Sequence, residues 1–112
     1  MGTTVTDEQI QDLVRTAQPF SLLILRWGPR RDQAGAGAIE LEHQRRMVSL
    51  RADGVIAILC PILDDAMAGM AVMTVPTDRA EEIIAEDPCV QAGMMLSEVY
   101  PCMSFPGDSL PG

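Results

Sequence analysis

The strongest constraint on the fold is a set of four apolar segments that lack regular alternation between apolar and polar residues. Residues 20–27, Phe-Ser-Leu-Leu-Ile-Leu-Arg-Trp, are apolar on both faces, which is typical of a strand covered on both sides. Residues 55–60, 69–75 and 94–100 predict three further strands. Helical patterns at about 38–52 and 77–85 separate them, so the predicted order is β-α-β-β-α-β.

This order predicts an α+β fold of the ferredoxin-like type, with the split β-α-β arrangement. The 112 residues are interpreted as one domain, with a core at 20–101 and an irregular tail at 102–112. An additional N-terminal helix is predicted at 6–18, where Thr6 and Gln9 can form a capping box. Thr77 or Asp78 is the predicted cap of the last long helix.

The pattern also indicates a partner, because two helices can cover only one face of a four-stranded sheet. The uncovered apolar face would exceed the few hundred square ångströms that a monomer usually exposes. A second copy of the same sheet is the simplest cover. The sequence therefore predicts a homodimer of the α/β-barrel type, and a higher assembly of such dimers stays open.

Charge and motifs exclude several functional classes. A net charge of −8 argues against nucleic acid, which needs clustered basic residues. No apolar run approaches the roughly 20 residues that span a membrane, and the acidic start differs from a secretory signal. Cys60, Cys89 and Cys102 form no CxxC pair, and free thiols suit the cytoplasm. No cofactor motif is present, and no metal site is predicted around the single histidine.

The candidate site centres on that histidine, His43. It lies on a helical stripe with Ile39, Met47 and Leu50, so the ring is predicted to face the sheet. A histidine held by a carboxylate can act as a general base near neutral pH. The alternative is a ring that only binds a backbone carbonyl, which is the more common situation for a buried histidine.

The other candidates are two acidic and two basic residues. Asp64 or Asp65, after the second strand, is predicted to orient His43, although such residues usually serve turns. Arg45 and Arg46 are predicted to steady a substrate's negative charge, with a solvated helix face as the alternative. Asp87, before a proline, is interpreted as a cap or turn residue rather than a catalytic one.

Three segments resemble the YciI-like (YCII-related) family. Residues 41–46, Leu-Glu-His-Gln-Arg-Arg, resemble the family's helical histidine segment, and residues 60–64, Cys-Pro-Ile-Leu-Asp, resemble its Gly-Pro-Phe-x-Asp segment. Residues 87–93, Asp-Pro-Cys-Val-Gln-Ala-Gly, match its Asp-Pro-x-Val-x-Ala-Gly signature. The resemblance implies a dimeric α/β barrel with a His–Asp pair, carried over here to His43 and Asp64. Cys60 departs from the usual glycine.

Two functions follow as expectations. The first is a cofactor-independent lyase, isomerase or dehydrochlorinase that acts on a small oxygenated cyclic or aromatic compound, since one relative of the family is a dehydrochlorinase. In this case the ligand would bind in a pocket near His43. The second is a noncatalytic ligand-binding or dimerisation module, in which His43 only packs. A cavity at His43 with a carboxylate within hydrogen-bonding distance would favour the enzyme.

Overall fold

A computed structural model describes residues 2–112, which form an α+β structure with one four-stranded antiparallel sheet and four helices. The strand order is β2-β3-β1-β4, which is compatible with the predicted ferredoxin-like fold. The elements are α1 (Asp7–Arg15), β1 (Gln18–Trp27), α2 (Ala36–Ala52), β2 (Ile56–Pro61), β3 (Met67–Met73), α3 (Thr77–Ala85), α4 (Pro88–Gln91) and β4 (Met95–Ser104).

The core lies between the sheet and the helices α2 and α3. In the central strand β1, Leu23 is opposite Ala71 of β3 and Val99 of β4, so these side chains share one face. Leu23 is fully buried, as is Ile84 of α3. Met47 of α2 completes this side of the core, which places one face of α2 directly over the sheet.

The ends of the elements test the local predictions. The capping box of Thr6 and Gln9 is confirmed at the start of α1. The predicted cap of α3 is wrong, because Pro76 occupies the cap position and Thr77 is already helical. The segment after α3, which was expected to be a turn, contains the short helix α4. Strand β4 also continues to Ser104, three residues into the predicted tail.

The opposite face of the sheet carries apolar side chains that are only partly covered. Leu22 of β1 is opposite Val72 and Tyr100, and Tyr100 remains 48% exposed. The C-terminal tail crosses part of this face, where Phe105 and neighbouring tail residues enclose a cavity of about 390 Å³ against Phe20 and Val72. The sheet therefore has one packed face and one partly open face.

Helix α1 stands apart from the core. It has no buried residue, and its apolar residues Ile10, Leu13 and Val14 are about half exposed. The molecule is accordingly elongated, with dimensions of 55 × 33 × 25 Å. Within residues 2–112, no helix has the length and apolar character needed to cross a bilayer.

Candidate functional site

His43 is buried on the face of α2 that packs toward the sheet, and only 8% of it is exposed. Its Nδ1 lies 2.9 Å from Oδ1 and 2.8 Å from Oδ2 of Asp87. The helical stripe predicted from the sequence accounts for this orientation, because Met47, one turn later, is buried on the same face. A carboxylate therefore lies within hydrogen-bonding distance of the ring.

Asp87 is held in place by the backbone that follows it. The residue is fully buried and caps α4, where its Oδ2 accepts hydrogen bonds from the backbone N–H groups of Cys89 at 3.0 Å and Val90 at 3.3 Å. Pro88 begins the helix with its fixed φ angle. The cap role predicted for Asp87 is confirmed, and the same carboxylate also binds His43.

The contact with Asp87 indicates where a neutral imidazole carries its proton. An ionised carboxylate only accepts hydrogen bonds, so Nδ1 of His43 must be the donor in this contact. In the neutral ring the proton then resides on Nδ1, and Nε2 keeps a free lone pair. The arrangement is that of a histidine prepared to take a proton at Nε2.

Arg46 lies behind the pair rather than beside the ring. Its Nη2 donates to the carbonyl oxygen of Ile83 at 2.6 Å, and its Nη1 lies 3.9 Å from Oδ1 of Asp87. Nη1 is buried and has no hydrogen-bond partner among residues 2–112. The guanidinium thus balances the charge of Asp87, and it links α2 to the end of α3. This position differs from the predicted role of Arg46 in binding substrate.

A cavity of about 310 Å³ opens at His43, between α2 and the ends of β2 and β3. This volume lies at the lower end of the range for sites that hold small molecules. Most of the lining is apolar, and His43, Glu40 and Gln44 supply its polar side chains. The apolar lining includes Leu25, Trp27, Met47, Leu59, Met70 and Met95.

A thiol completes the buried cluster around the pair. Burial, followed by the negative charges of Asp87 and Glu40, raises the pKa of the Cys89 thiol to about 12. His43, Asp87 and Cys89 each bring a potential metal ligand within 4.8 Å of the others, and zinc accepts all three types. A metal ion would have to displace the His43–Asp87 hydrogen bond, so the arrangement is foremost an acid–base pair.

Asp64, the predicted partner of His43, lies elsewhere. Its Oδ2 accepts hydrogen bonds from the backbone N–H groups of Ala66 at 2.8 Å and Met67 at 3.0 Å. These bonds lower the pKa of the Asp64 carboxyl group. The side chain is exposed and stabilises its own turn, so Asp87 rather than Asp64 forms the hydrogen bond with His43. The predicted contact is corrected in this respect.

The remaining predicted residues also lie outside the His43 cavity. Asp65 contributes its backbone carbonyl, which accepts a hydrogen bond from Arg31 Nη1 at 3.3 Å. Arg45 is exposed and pairs with Glu42 at 3.4 Å. Asp64 and Asp65 line an adjoining cavity of about 520 Å³, which shares Trp27 and Glu40 with the first. Neither a predicted acid nor Arg45 reaches the imidazole.

Two residues of the site were not predicted in their present roles. The Asp87 contact joins positions 44 residues apart, and nothing in the local pattern indicates it. Glu40 had a usable signal, because it precedes His43 by three residues, and such residues share a helical face. This spacing places Glu40 on the same cavity wall as His43.

The fold and the site define an α+β domain with a buried histidine–aspartate pair beside an apolar cavity. Comparison with protein-family models gives no match, and comparison with curated proteins gives no significant match. The functional argument therefore depends on the geometry of the site itself.

Proposed function

We propose that this chain is a YciI-like, cofactor-independent enzyme in which His43 acts as a general base. The proposed reaction is a lyase, isomerase or dehydrochlorinase step on a small oxygenated compound that is cyclic or aromatic. The observation that carries this proposal is the hydrogen bond from Nδ1 of His43 to Asp87, formed on the wall of an apolar cavity. A ring held in this way has its basic nitrogen free for a substrate.

The proposed chemistry needs only groups of this chain. Nε2 of His43 takes a proton from a carbon next to a carbonyl group, and the electron pair of the broken C–H bond forms a C=C bond. In an elimination this pair expels the leaving group, such as chloride, from the neighbouring carbon. In an isomerisation the carbonyl π pair moves to oxygen as an enolate, which the imidazolium reprotonates at another carbon. The imidazolium is stabilised by Asp87, whose own charge is balanced by Arg46. A positioned general base contributes about 10²–10⁴-fold, and the apolar walls add positioning and exclude water.

A noncatalytic ligand-binding module is the second candidate. It is favoured by the predominantly apolar lining of the cavity, which is a common property of binding sites. In this role His43 and Asp87 would fix α2 against α4, and the ligand would leave unchanged. The two candidates differ in whether a bound compound exchanges its protons.

The test is therefore isotope exchange. The protein is incubated in D₂O with a panel of cyclic ketones, lactones and hydroxylated aromatic compounds, and deuterium incorporation at carbon is followed by NMR and mass spectrometry. Asp87→Asn is compared with Asp64→Asn, which is a matched control because an asparagine can keep the exposed turn of Asp64. His43→Gln removes the base itself.

We expect catalysed exchange or elimination for at least one class of compound. His43→Gln should abolish it, Asp87→Asn should reduce it by at least about 100-fold, and Asp64→Asn should leave it within about twofold. Binding of a compound in the cavity without exchange would favour the second candidate. Equal losses in the two aspartate variants would contradict the role of Asp87.

We also propose that the chain functions as a homodimer in the cytoplasm, with two open sheet faces packed as an α/β barrel. The support is the partly exposed apolar face around Leu22 and Tyr100, and the free cysteines suit a reducing compartment.

Leu22→Glu should convert the dimer to a monomer in analytical ultracentrifugation. Leu63→Glu, on a fully exposed loop residue, is the control. A monomeric wild-type protein at high micromolar concentration would refute the dimer.

A further inference from the structure

The charge on the wall of the His43 cavity indicates which ligands it accepts. Glu40 is half-buried there and lies one turn before His43 on α2. Among residues 2–112, no hydrogen bond or ion pair engages its carboxylate. The charge of Glu40 also reaches the buried Cys89 thiol, whose pKa it helps to raise. An unengaged carboxylate therefore lies close to the imidazole.

No arginine of residues 2–112 lines the His43 cavity to offset the charge of Glu40. The eight permanently charged basic residues of the chain are all arginines, and none of them lines this cavity in the described part of the chain. Arg46 is directed toward Asp87 and Ile83. Arg31 lies in the adjoining cavity, which Glu40 also lines, but its guanidinium stacks on the Trp27 ring with 3.9 Å between its Cζ and the ring centroid and forms no ion pair with Glu40.

The negative charge of Glu40 disfavours the binding of an anionic ligand. A carboxylate placed in the cavity would meet Glu40 across a medium of low polarity, where like charges repel strongly. It would also lose its hydration without gaining an arginine partner. A hydroxyl or an ammonium group would instead donate a hydrogen bond to Glu40, while an apolar ring packs on Met47, Met70 and Met95.

We propose that the His43 cavity takes an uncharged or cationic molecule with an apolar body, whose O–H or N–H group donates to Glu40, and that it rejects carboxylates. This inference names the ligand class of the proposed function and rests on it for the identity of the cavity. It replaces the expectation that Arg45 and Arg46 steady a substrate anion. Glu40 is thus assigned as the residue that determines specificity.

The test uses three probes of nearly equal size: benzyl alcohol, benzylammonium and benzoate. Their binding to the full chain is measured by NMR on ¹³C-methyl methionine, because Met47, Met70 and Met95 report on the cavity and the exposed Met103 is an internal control. Glu40→Gln removes the charge and keeps the shape. Glu42→Gln is the matched control on the same helix, since Glu42 is exposed and pairs with Arg45.

We expect benzyl alcohol and benzylammonium to shift the cavity methyl signals and to bind at least about tenfold more tightly than benzoate. Glu40→Gln should reduce the ratio of ammonium to benzoate affinity by about tenfold or more, with a smaller effect on the alcohol. Glu42→Gln should leave the ratio within about twofold. Because the alcohol is uncharged, the smaller effect on its affinity separates the contribution of the hydrogen bond to Glu40 from that of the charge.

Three results would overturn the inference: benzoate binding as tightly as the other probes, an unchanged ratio in Glu40→Gln, or no probe affecting the cavity methyl signals. Failure of the proposed function is distinguishable from failure of the inference. Selective binding without isotope exchange would leave Glu40 as the specificity residue and reject His43 as a base. Exchange that occurs with carboxylate substrates would keep the base and reject the role of Glu40.

Discussion

The Asp87→Asn substitution gives the sharpest test of the His43–Asp87 pair, because it changes the hydrogen-bonding capacity of residue 87 while keeping its shape. The asparagine Oδ1 can still accept from the backbone N–H groups of Cys89 and Val90. Its NH₂ group would then replace Oδ1, 2.9 Å from Nδ1 of His43, where it repels a proton on Nδ1 and favours a ring that accepts. The neutral imidazole should therefore move its proton from Nδ1 to Nε2.

The expected loss of stability follows from the contacts that change. A charged hydrogen bond to His43 becomes a neutral one, and the buried Nη1 of Arg46 loses the anion 3.9 Å away. Hydrogen bonds to charged groups contribute roughly 1.5–3 kcal/mol, so we expect the free energy of unfolding to fall by about 2–3 kcal/mol. For a domain of this size, the melting temperature should fall by roughly 10 °C. Asp87→Ala also loses the helix cap, which adds about 1 kcal/mol.

The assay is ¹⁵N NMR of the imidazole combined with urea unfolding. His43 is the single histidine of the chain, so its ring signals need no residue assignment, and their couplings to the carbon-bound ring protons distinguish Nδ1 from Nε2. We expect an Nδ1–H tautomer in the wild-type protein, an Nε2–H tautomer in Asp87→Asn, and no change in Asp64→Asn. A wild-type ring protonated on Nε2, or a tautomer unaffected by Asp87→Asn, would refute the described hydrogen bonding.

Two further predictions concern cysteine reactivity and backbone contacts. The pKa of Cys89 is raised to about 12 in the folded protein, whereas a thiol in the unfolded chain has a pKa of about 8.5. The free energy of unfolding should therefore fall as the pH rises above about 8.5. Urea unfolding at successive pH values should show a weaker decline in Cys89→Ala, and iodoacetamide should modify the exposed Cys60 well before Cys89. An equal decline would contradict this. Gly28→Ala should destabilise by several kcal/mol, since its Cβ would lie 2.5 Å from the Gly93 carbonyl oxygen. Gly37→Ala, in open space on α2, should raise the free energy of unfolding by about 0.5–1 kcal/mol. Calorimetry of the two glycine variants measures these opposite changes in stability.

Local patterns in the sequence determined the element order, because each element depends on residues close together in the chain. The apolar run of β1 and the helical stripe around His43 depend on side-chain periodicity alone, so they predicted both the sheet and the inward direction of the ring. The capping box of α1 is equally local, since its hydrogen bonds join residues three apart. The helix cap formed by Asp87 is also local, because its carboxylate accepts hydrogen bonds from N–H groups two and three residues later.

The tertiary structure alone decided which carboxylate meets His43. Asp64 and Asp87 both follow turn-forming patterns. Asp64 uses Oδ2 on its own turn, whereas both oxygens of Asp87 lie within hydrogen-bonding distance of His43 on α2. The packing of α2 against α4 brings together residues 44 positions apart, and no periodicity encodes that distance. The placement of Glu40 on a cavity wall that no arginine lines is likewise a result of packing, because it depends on where each arginine side chain is directed.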